Sequence, residues 1–129
     1  MDNLMNGGIP KNLEAEKSVL GAILIDSNAV VEASELLEPS DFYLRANQFI
    51  FQAMLELNAD DSEIDIVTLE NALRRQNQWE ETEKYIVEAL ETVPTSANVR
   101  FYAEIVKQKA LMRNLISTAQ SIINDAMQE

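Results

Sequence analysis

The stretch FYAEIVKQKALMRNLISTAQSIINDAM, residues 101–127, decides the fold of this chain. Its apolar residues recur every three or four positions, which predicts one helix of about thirty residues that begins after Pro94. Thr95 or Ser96 is the predicted N-terminal cap of this helix. Such a helix is long against the average of about 11 to 12 residues in globular proteins.

The apolar side chains of this helix form two neighbouring stripes. One comprises Tyr102, Ile105, Met112, Ile116, Ala119, Ile123 and Ala126, and the other Phe101, Ile105, Met112, Leu115, Ala119 and Ile122. Two interpretations follow: the stripes pack only against the rest of the chain, or the far half of the helix extends beyond the globular part and meets another chain. Because an apolar stripe left in water is a liability, we favour self-association. The predicted subunit contacts are Tyr102, Ile105, Met112, Leu115, Ile116, Ala119, Ile122 and Ile123.

Upstream of this helix, the apolar spacing predicts five shorter helices. The fold class is therefore all-α, a compact five-helix head followed by one long C-terminal helix. We divide the chain into a flexible lead-in (residues 1–9), the helical head (10–94) and the long helix as an assembly arm (95–129).

Capping residues and breakers set the predicted limits of the head helices. Asn12 is the predicted cap of the first helix, which ends near Ile25. Ser40 is predicted to cap a third helix that begins with Phe42, and Thr68 a fourth that follows a brief extended piece at residues 64–66. The fifth helix is predicted from about residue 80 to residue 91.

Composition excludes much of enzyme chemistry. Among 129 residues there are 0 Cys and 0 His, which rules out disulfides, thiolate zinc sites and imidazole acid–base catalysis. No segment approaches the roughly 20 apolar residues that span a bilayer, and the N-terminus lacks the pattern of a signal peptide. We expect a soluble cytoplasmic protein with no membrane partner.

The charge is strongly negative and unevenly distributed. The net charge is −12, and it divides into −13 for residues 1–99 (19 acidic, 6 basic) and +1 for residues 100–129 (3 acidic, 4 basic). Direct binding of nucleic acid is not expected, because phosphate contacts need Lys and Arg. The basic residues Arg100, Lys107, Lys109 and Arg113 fit a solvated helix face or a contact with an acidic partner, including a second copy of the chain.

Three further groups of residues could suggest chemistry. The acidic loop at residues 58–65 lacks the Gly of a calcium-binding loop, and the carboxylates of Glu80, Glu81 and Glu83 stand where a helix start favours acids. Gly7-Gly8 is not followed by the Lys and Ser/Thr of a phosphate-binding loop. We therefore predict no catalytic, cofactor-binding or metal-binding residue in this chain.

An ordered set of segments resembles the N-terminal domain of the DnaB family of replicative DNA helicases. It covers residues 9–127 and comprises Pro10 with Asn12–Glu16, Ser18–Gly21, Ile23–Asp26, Leu37–Tyr43, Ile50–Met54, Ile64–Leu69, Val93–Val99 and Tyr102–Val106. One departure is the sequence Thr82-Glu83-Lys84 before Tyr85-Ile86, where family members often have Gly-Gly. This departure indicates a tighter connection between the fourth and fifth helices, or a fifth helix that begins earlier than in relatives.

This resemblance implies a non-catalytic collar domain of a hexameric, ATP-dependent DNA helicase. In that family ATP and Mg belong to a C-terminal domain that this chain does not contain, and the long helix matches the first arm of a helical hairpin that pairs subunits. The resemblance also implies docking of the primase C-terminal domain, for which we nominate Ile122, Ile123, Ala126 and Met127, and a helicase loader as a further partner. The competing hypothesis is a free-standing acidic helical adaptor or inhibitor that binds a basic protein.

Overall fold

The computed structural model describes residues 8–92 and 95–129. In these ranges the chain forms six α-helices, one 3-10 turn and no strand. The helices are α1 (Leu13–Ile25), α2 (Ala29–Leu36), α3 (Arg45–Ala59), α4 (Ile66–Arg75), α5 (Trp79–Thr92) and α6 (Val99–Gln128), and the 3-10 turn is Pro39–Asp41. The predicted all-α fold, with a five-helix head and one long last helix of 30 residues, is confirmed.

Helix α1 is the central element of the head, because it packs against both α5 and α6 and also contacts α2 and α3. A helix with a single neighbour buries one stripe, whereas α1 is buried over most of its surface. Val19, Leu20 and Ile23 are completely buried, and the small residues Gly21 and Ala22 between them are buried as well.

Helices α3, α4 and α5 complete the core around α1. The rings of Phe42 and Phe51 lie 5.0 Å apart between centroids at a tilt of 40°. Full burial of a large apolar side chain stabilises a fold by about 1.5–3 kcal/mol, so such residues provide most of the driving force. Helices α4 and α5 contribute buried residues at helical spacing, namely Leu69, Ala72, Leu73, Ile86 and Ala89.

The N-terminal caps of α1 and α4 show how well single residues could be predicted. Asn12 caps α1 as predicted, since its side-chain oxygen accepts a hydrogen bond of 2.9 Å from the Ala15 N–H. The prediction for Thr68 was wrong. Asp65 caps α4, and Thr68 stands three residues later, where its hydroxyl accepts from the Asp65 N–H at 3.0 Å while Asp65 accepts from the Thr68 N–H at 2.9 Å. Because of this reciprocal pairing, α4 begins at Ile66, earlier in the chain than predicted, and the predicted extended piece ends at Asp65.

Ser40 does not cap α3, contrary to the prediction, because Pro39 begins a 3-10 turn instead. In that turn Asp41 accepts a hydrogen bond of 2.8 Å from the Glu38 N–H. The chain then runs extended through Phe42, and α3 begins only at Arg45, after a residue whose side chain cannot cap it.

Glu16 accepts hydrogen bonds at the start of α3, where no local side chain caps the helix. Its carboxylate is 2% exposed and accepts from the Tyr43 N–H at 2.7 Å and from the Asn47 side-chain amide at 2.9 Å. Negative charge near a helix N-terminus is favourable, which explains why this buried acid is tolerated. The sequence does not predict this role of Glu16, because nothing local reveals a partner 27 residues away.

The connection that precedes α5 and the start of α6 differ from the prediction in detail. Helix α5 follows α4 after three residues, with Asn77 in the left-handed region (φ 58°), and Thr82 to Ile86 lie inside α5. Neither Thr95 nor Ser96 caps α6, which begins at Val99; the Thr95 hydroxyl accepts from the Ala97 N–H at 3.2 Å and closes an earlier turn. The predicted stop at Pro94 and residues 1–7 of the predicted lead-in lie outside the described residues.

Candidate assembly surface

The first part of α6 packs on the head through a narrow stripe of small apolar residues. Val99, Ala103, Val106 and Ala110 are all buried, and their spacing of four, three and four keeps them on one face of the helix. This face meets α1 and α2. None of these four residues belongs to the two stripes predicted from the sequence.

Beyond Ala110 the face of α6 that meets the head becomes polar. The same spacing continues through Arg113, Ser117, Gln120 and Asn124. From residue 111 to residue 129 every side chain is exposed except Arg113, which is half-buried. Helix α6 therefore leaves the head near Arg113, and the residues from 114 to 128 extend beyond it for about 22 Å, at about 1.5 Å per residue.

The apolar residues of this extension lie on the opposite face of the helix. Ala119 follows Ala110 by nine residues, about two and a half turns, so it points about 180° away from the head-facing stripe. We call this surface the distal stripe: Met112, Leu115, Ile116, Ala119, Ile122, Ile123, Ala126 and Met127. Its large members are exposed by 41% at Met112, 70% at Leu115, 39% at Ile116, 63% at Ile122, 56% at Ile123 and 80% at Met127.

The residues predicted for subunit contact divide into two groups. Tyr102 and Ile105 are half-buried and pack against the edge of the head core. The other six lie together on the distal stripe. The four residues nominated for primase docking lie at the free end of the same stripe.

An apolar groove continues the distal stripe back to the head. Leu36 of α2 lines it together with Phe101, Ile105 and Leu111 of α6, and its volume is about 360 Å³. Leu36 falls within the predicted head, and Leu111 belongs to neither of the two predicted stripes. Leu111 directly precedes Met112 in the sequence of α6. This apolar neighbour is the signal from which Leu111 could have been predicted as a surface residue of the groove.

Three of the four basic residues of α6 are bound by the head of the same chain. The Arg100 guanidinium lies 3.3 Å from Glu35, and the Lys107 ammonium lies 3.1 Å from the buried carboxylate of Asp41. Arg113 donates to the carbonyl oxygens of Pro10 at 2.9 Å and of Asp41 at 2.6 Å. Arg100 lies on a solvated face as one interpretation predicted, whereas Lys107 and Arg113 are half-buried and bind groups of their own chain.

The acidic loop before α4 is attached to the rest of the head by hydrogen bonds to a neutral hydroxyl group, that of Ser27. The Ser27 hydroxyl accepts from the Ile64 N–H at 2.6 Å and donates to the Ile64 carbonyl at 3.2 Å. The loop lines an open polar depression of about 400 Å³. Within residues 8–92 and 95–129, no three acidic side chains come together in a way that could hold a metal ion. In the same ranges no helix has the length and apolar character required to cross a bilayer.

Comparison with known proteins identifies relatives of the whole fold. Residues 8–108 match the family described as DnaB-like helicase N terminal domain. The replicative DNA helicase DnaB of Geobacillus stearothermophilus is 46% identical over 118 residues, which is 90% of this chain and 26% of that protein. The chain thus spans about a quarter of the length of the curated relatives it matches.

Two solved structures resemble this one closely. The N-terminal domain of DnaB helicase from Mycobacterium tuberculosis superposes with a TM-score of 0.91 at 34% identity, over 94% of this chain and 88% of that one. The corresponding domain from Helicobacter pylori, described together with its interactions with primase, gives a TM-score of 0.81 at 28% identity, over 89% of this chain and 91% of that one.

Proposed function

The chain belongs to the DnaB-like helicase N-terminal domain family, and from this premise we propose that it is a non-catalytic collar domain of a replicative DNA helicase. In this role it joins helicase subunits through α6 and recruits primase during DNA replication in the cytoplasm. ATP, Mg and the unwinding reaction belong, in this proposal, to other parts of a longer, ATP-dependent helicase that assembles as a hexameric ring.

The observation that supports subunit association is the distal stripe. Its large side chains are exposed on the face of α6 turned away from the head, so the chain's own head cannot cover them. Burial of one such side chain is worth about 1.5–3 kcal/mol when complete, and several of them contact a partner helix at once. Association between copies of the chain removes this surface from water.

The spacing and chemistry of the distal stripe suit a helix partner. Met112, Ile116, Ala119, Ile123 and Ala126 follow one another at steps of four and three, the pattern by which paired helices interlock their side chains. The two alanines allow close approach of the backbones. Residues 114 to 124 carry no charged side chain, so two copies can align here without like-charge repulsion.

Primase recruitment rests on a relative and on the free end of α6. The Helicobacter pylori domain is described with its interactions with primase. We propose that the primase C-terminal domain docks at Ile122, Ile123, Ala126 and Met127, where the distal stripe is farthest from the head. A helicase loader is a further partner in this proposal, without a site assigned to it.

Sedimentation analysis of a double variant tests the assembly function. Ile116→Asp/Ile123→Asp places two carboxylates on the distal stripe, and we expect it to be monomeric at concentrations where the unchanged chain self-associates. The matched control is Val31→Asp/Val67→Asp, which adds the same charges at exposed valines of the head and should leave association unchanged. An unchanged chain that stays monomeric at high micromolar concentration would contradict the proposal.

A second candidate, an acidic adaptor that binds a basic protein, is favoured by the net charge of −12. Salt separates the two functions. At about 1 M salt the Debye length falls to about 3 Å and charge-driven binding weakens steeply, whereas apolar helix pairing persists. Self-association measured by sedimentation should therefore persist at high salt if the collar function is correct, whereas binding of a basic protein partner should be lost if the chain is an adaptor.

A further inference from the structure

Arg113 holds the lead-in segment against the point where α6 leaves the head. One guanidinium nitrogen donates to the Pro10 carbonyl at 2.9 Å and the other to the Asp41 carbonyl at 2.6 Å. The guanidinium also lies 5.6 Å from the centre of the Tyr43 ring. A planar guanidinium can bridge two carbonyl groups in this way, which a lysine ammonium cannot do with the same geometry.

This contact brings an apolar residue of the lead-in beside the distal stripe. Ile9 directly precedes Pro10, and it lines a pocket of about 220 Å³ together with Arg113, Ile116, Ser117 and Gln120. We call this pocket the Ile9 notch. Ile9 is 52% exposed. Its neighbour Pro10 is half-buried, and the Pro10 carbonyl accepts a hydrogen bond from Arg113. The notch thus has two apolar walls, from Ile9 and Ile116, and one of them belongs to the distal stripe.

We propose that the Ile9 notch is part of the assembly surface and receives an apolar side chain from α6 of a second copy of this chain. This inference rests on the proposed function and extends it to a segment more than 100 residues away in sequence from the distal stripe. Arg113 is then a positioning residue: it touches no partner itself but holds Ile9 where the partner arrives.

Continuity of the surface favours a second copy as the occupant. Ile116 lines the notch and also belongs to the distal stripe, so the notch adjoins the edge of the surface that a partner helix covers. A second copy offers the required side chains, because its own distal stripe exposes leucine, isoleucine and methionine. In a two-fold dimer the contact occurs twice, so each substitution in the notch affects two sites.

Sedimentation equilibrium of Ile9→Asp in the full chain tests this inference. We expect the dissociation constant of self-association to rise about tenfold, and Arg113→Ala and Arg113→Lys to weaken association in the same direction. Ile9→Val keeps the apolar wall and should bind like the unchanged chain. The matched control is Ile25→Asp, because Ile25 is a similarly exposed isoleucine of the head.

The outcomes separate this inference from the proposed function. If Ile116→Asp/Ile123→Asp abolishes association while Ile9→Asp leaves the dissociation constant unchanged, the notch is not part of the interface and only this inference is overturned. A monomeric unchanged chain overturns both. If Ile9→Asp lowers the thermal midpoint of the monomer without affecting association, the notch is filled within one protomer, which also overturns the inference.

Discussion

Val99–Ala110 and Leu111–Gln128 are consecutive parts of one helix, yet the residues that the first part buries against the head are small, whereas the large apolar residues of the second part face away from the head. The first part presents valine and alanine to the head, where α1 and α2 pack closely against it. The second part presents leucine, isoleucine and methionine to solvent on the other face, while its head-side positions are polar. Small residues allow two helices to pack closely, and large exposed apolar residues are typical of surfaces that bind another molecule.

The same division holds for charge. In the first part of α6, Arg100 and Lys107 pair with acids of the head. At the start of the second part, Arg113 binds carbonyl groups where α6 leaves the head. Beyond Arg113 the next charged residue is Asp125. Polar contacts therefore fix α6 to the head, and the extension is left with apolar and neutral side chains that suit helix pairing.

Ala103→Asp and Ala119→Asp make the same substitution in the first and second parts of α6. We expect the largest effects from this pair, on stability for Ala103→Asp and on self-association for Ala119→Asp. At Ala103, which is completely buried, an unpaired carboxylate should cost about 3–5 kcal/mol, a large fraction of the stability of a domain. At the exposed Ala119 the thermal midpoint of the monomer should not change, while self-association is lost. Thermal unfolding followed by circular dichroism, combined with sedimentation, checks both, and equal midpoints for the two variants would contradict the division.

Met127→Asp tests whether the free end of the distal stripe has a role distinct from subunit contact. We expect binding of the primase C-terminal domain, measured by titration calorimetry, to weaken about tenfold or more, because an apolar contact is replaced by a charge. Self-association should change less than it does with Ile116→Asp/Ile123→Asp. Val67→Asp, at a similarly exposed residue of the head, is the control. Unchanged primase affinity would remove Met127 from the docking site.

Lys107→Ala removes one of the polar contacts that attach the first part of α6 to the head, and we expect its effect to be smaller than those of the substitutions above. It removes the ammonium group from the buried Asp41 carboxylate, which keeps its hydrogen bond from the Glu38 N–H, and we expect the free energy of unfolding, measured in urea, to fall by about 1 kcal/mol. Lys109→Ala removes a lysine from the same helix and should stay within about 0.5 kcal/mol of the unchanged chain. Equal effects of the two substitutions would show that the contact with Asp41 does not stabilise the attachment of α6.

The sequence was sufficient where the signal repeats along the chain. Periodic apolar residues predicted the helices of the head and the length of α6, because each helix offers several independent positions. Single caps were predicted less well: Asn12 was correct, while Ser40, Thr68 and Thr95 were not. A capping side chain acts only at the right backbone angles, and in a run of several polar residues the sequence does not show which of them has those angles.

The candidate site was predicted in composition but not in orientation. The sequence identified the apolar residues from Met112 to Met127 without showing which face of α6 meets the head. Ala103 and Ala110 were overlooked, because alanine carries little hydrophobic signal even where it permits the closest packing. Arg113 was assigned to a surface cluster, since its two carbonyl partners are 72 and 103 residues away.

Local pattern by itself determined the all-α fold, the long last helix and the apolar residues that line it, because helix periodicity is encoded within a few turns of chain. Tertiary structure decided where α6 leaves the head, that Glu16 supports α3, and that Ile9 lies beside Ile116. Each of these depends on groups brought together from distant parts of the sequence. Such groups interact only once packing has fixed the helices relative to one another, so their meeting leaves no periodic trace in the chain.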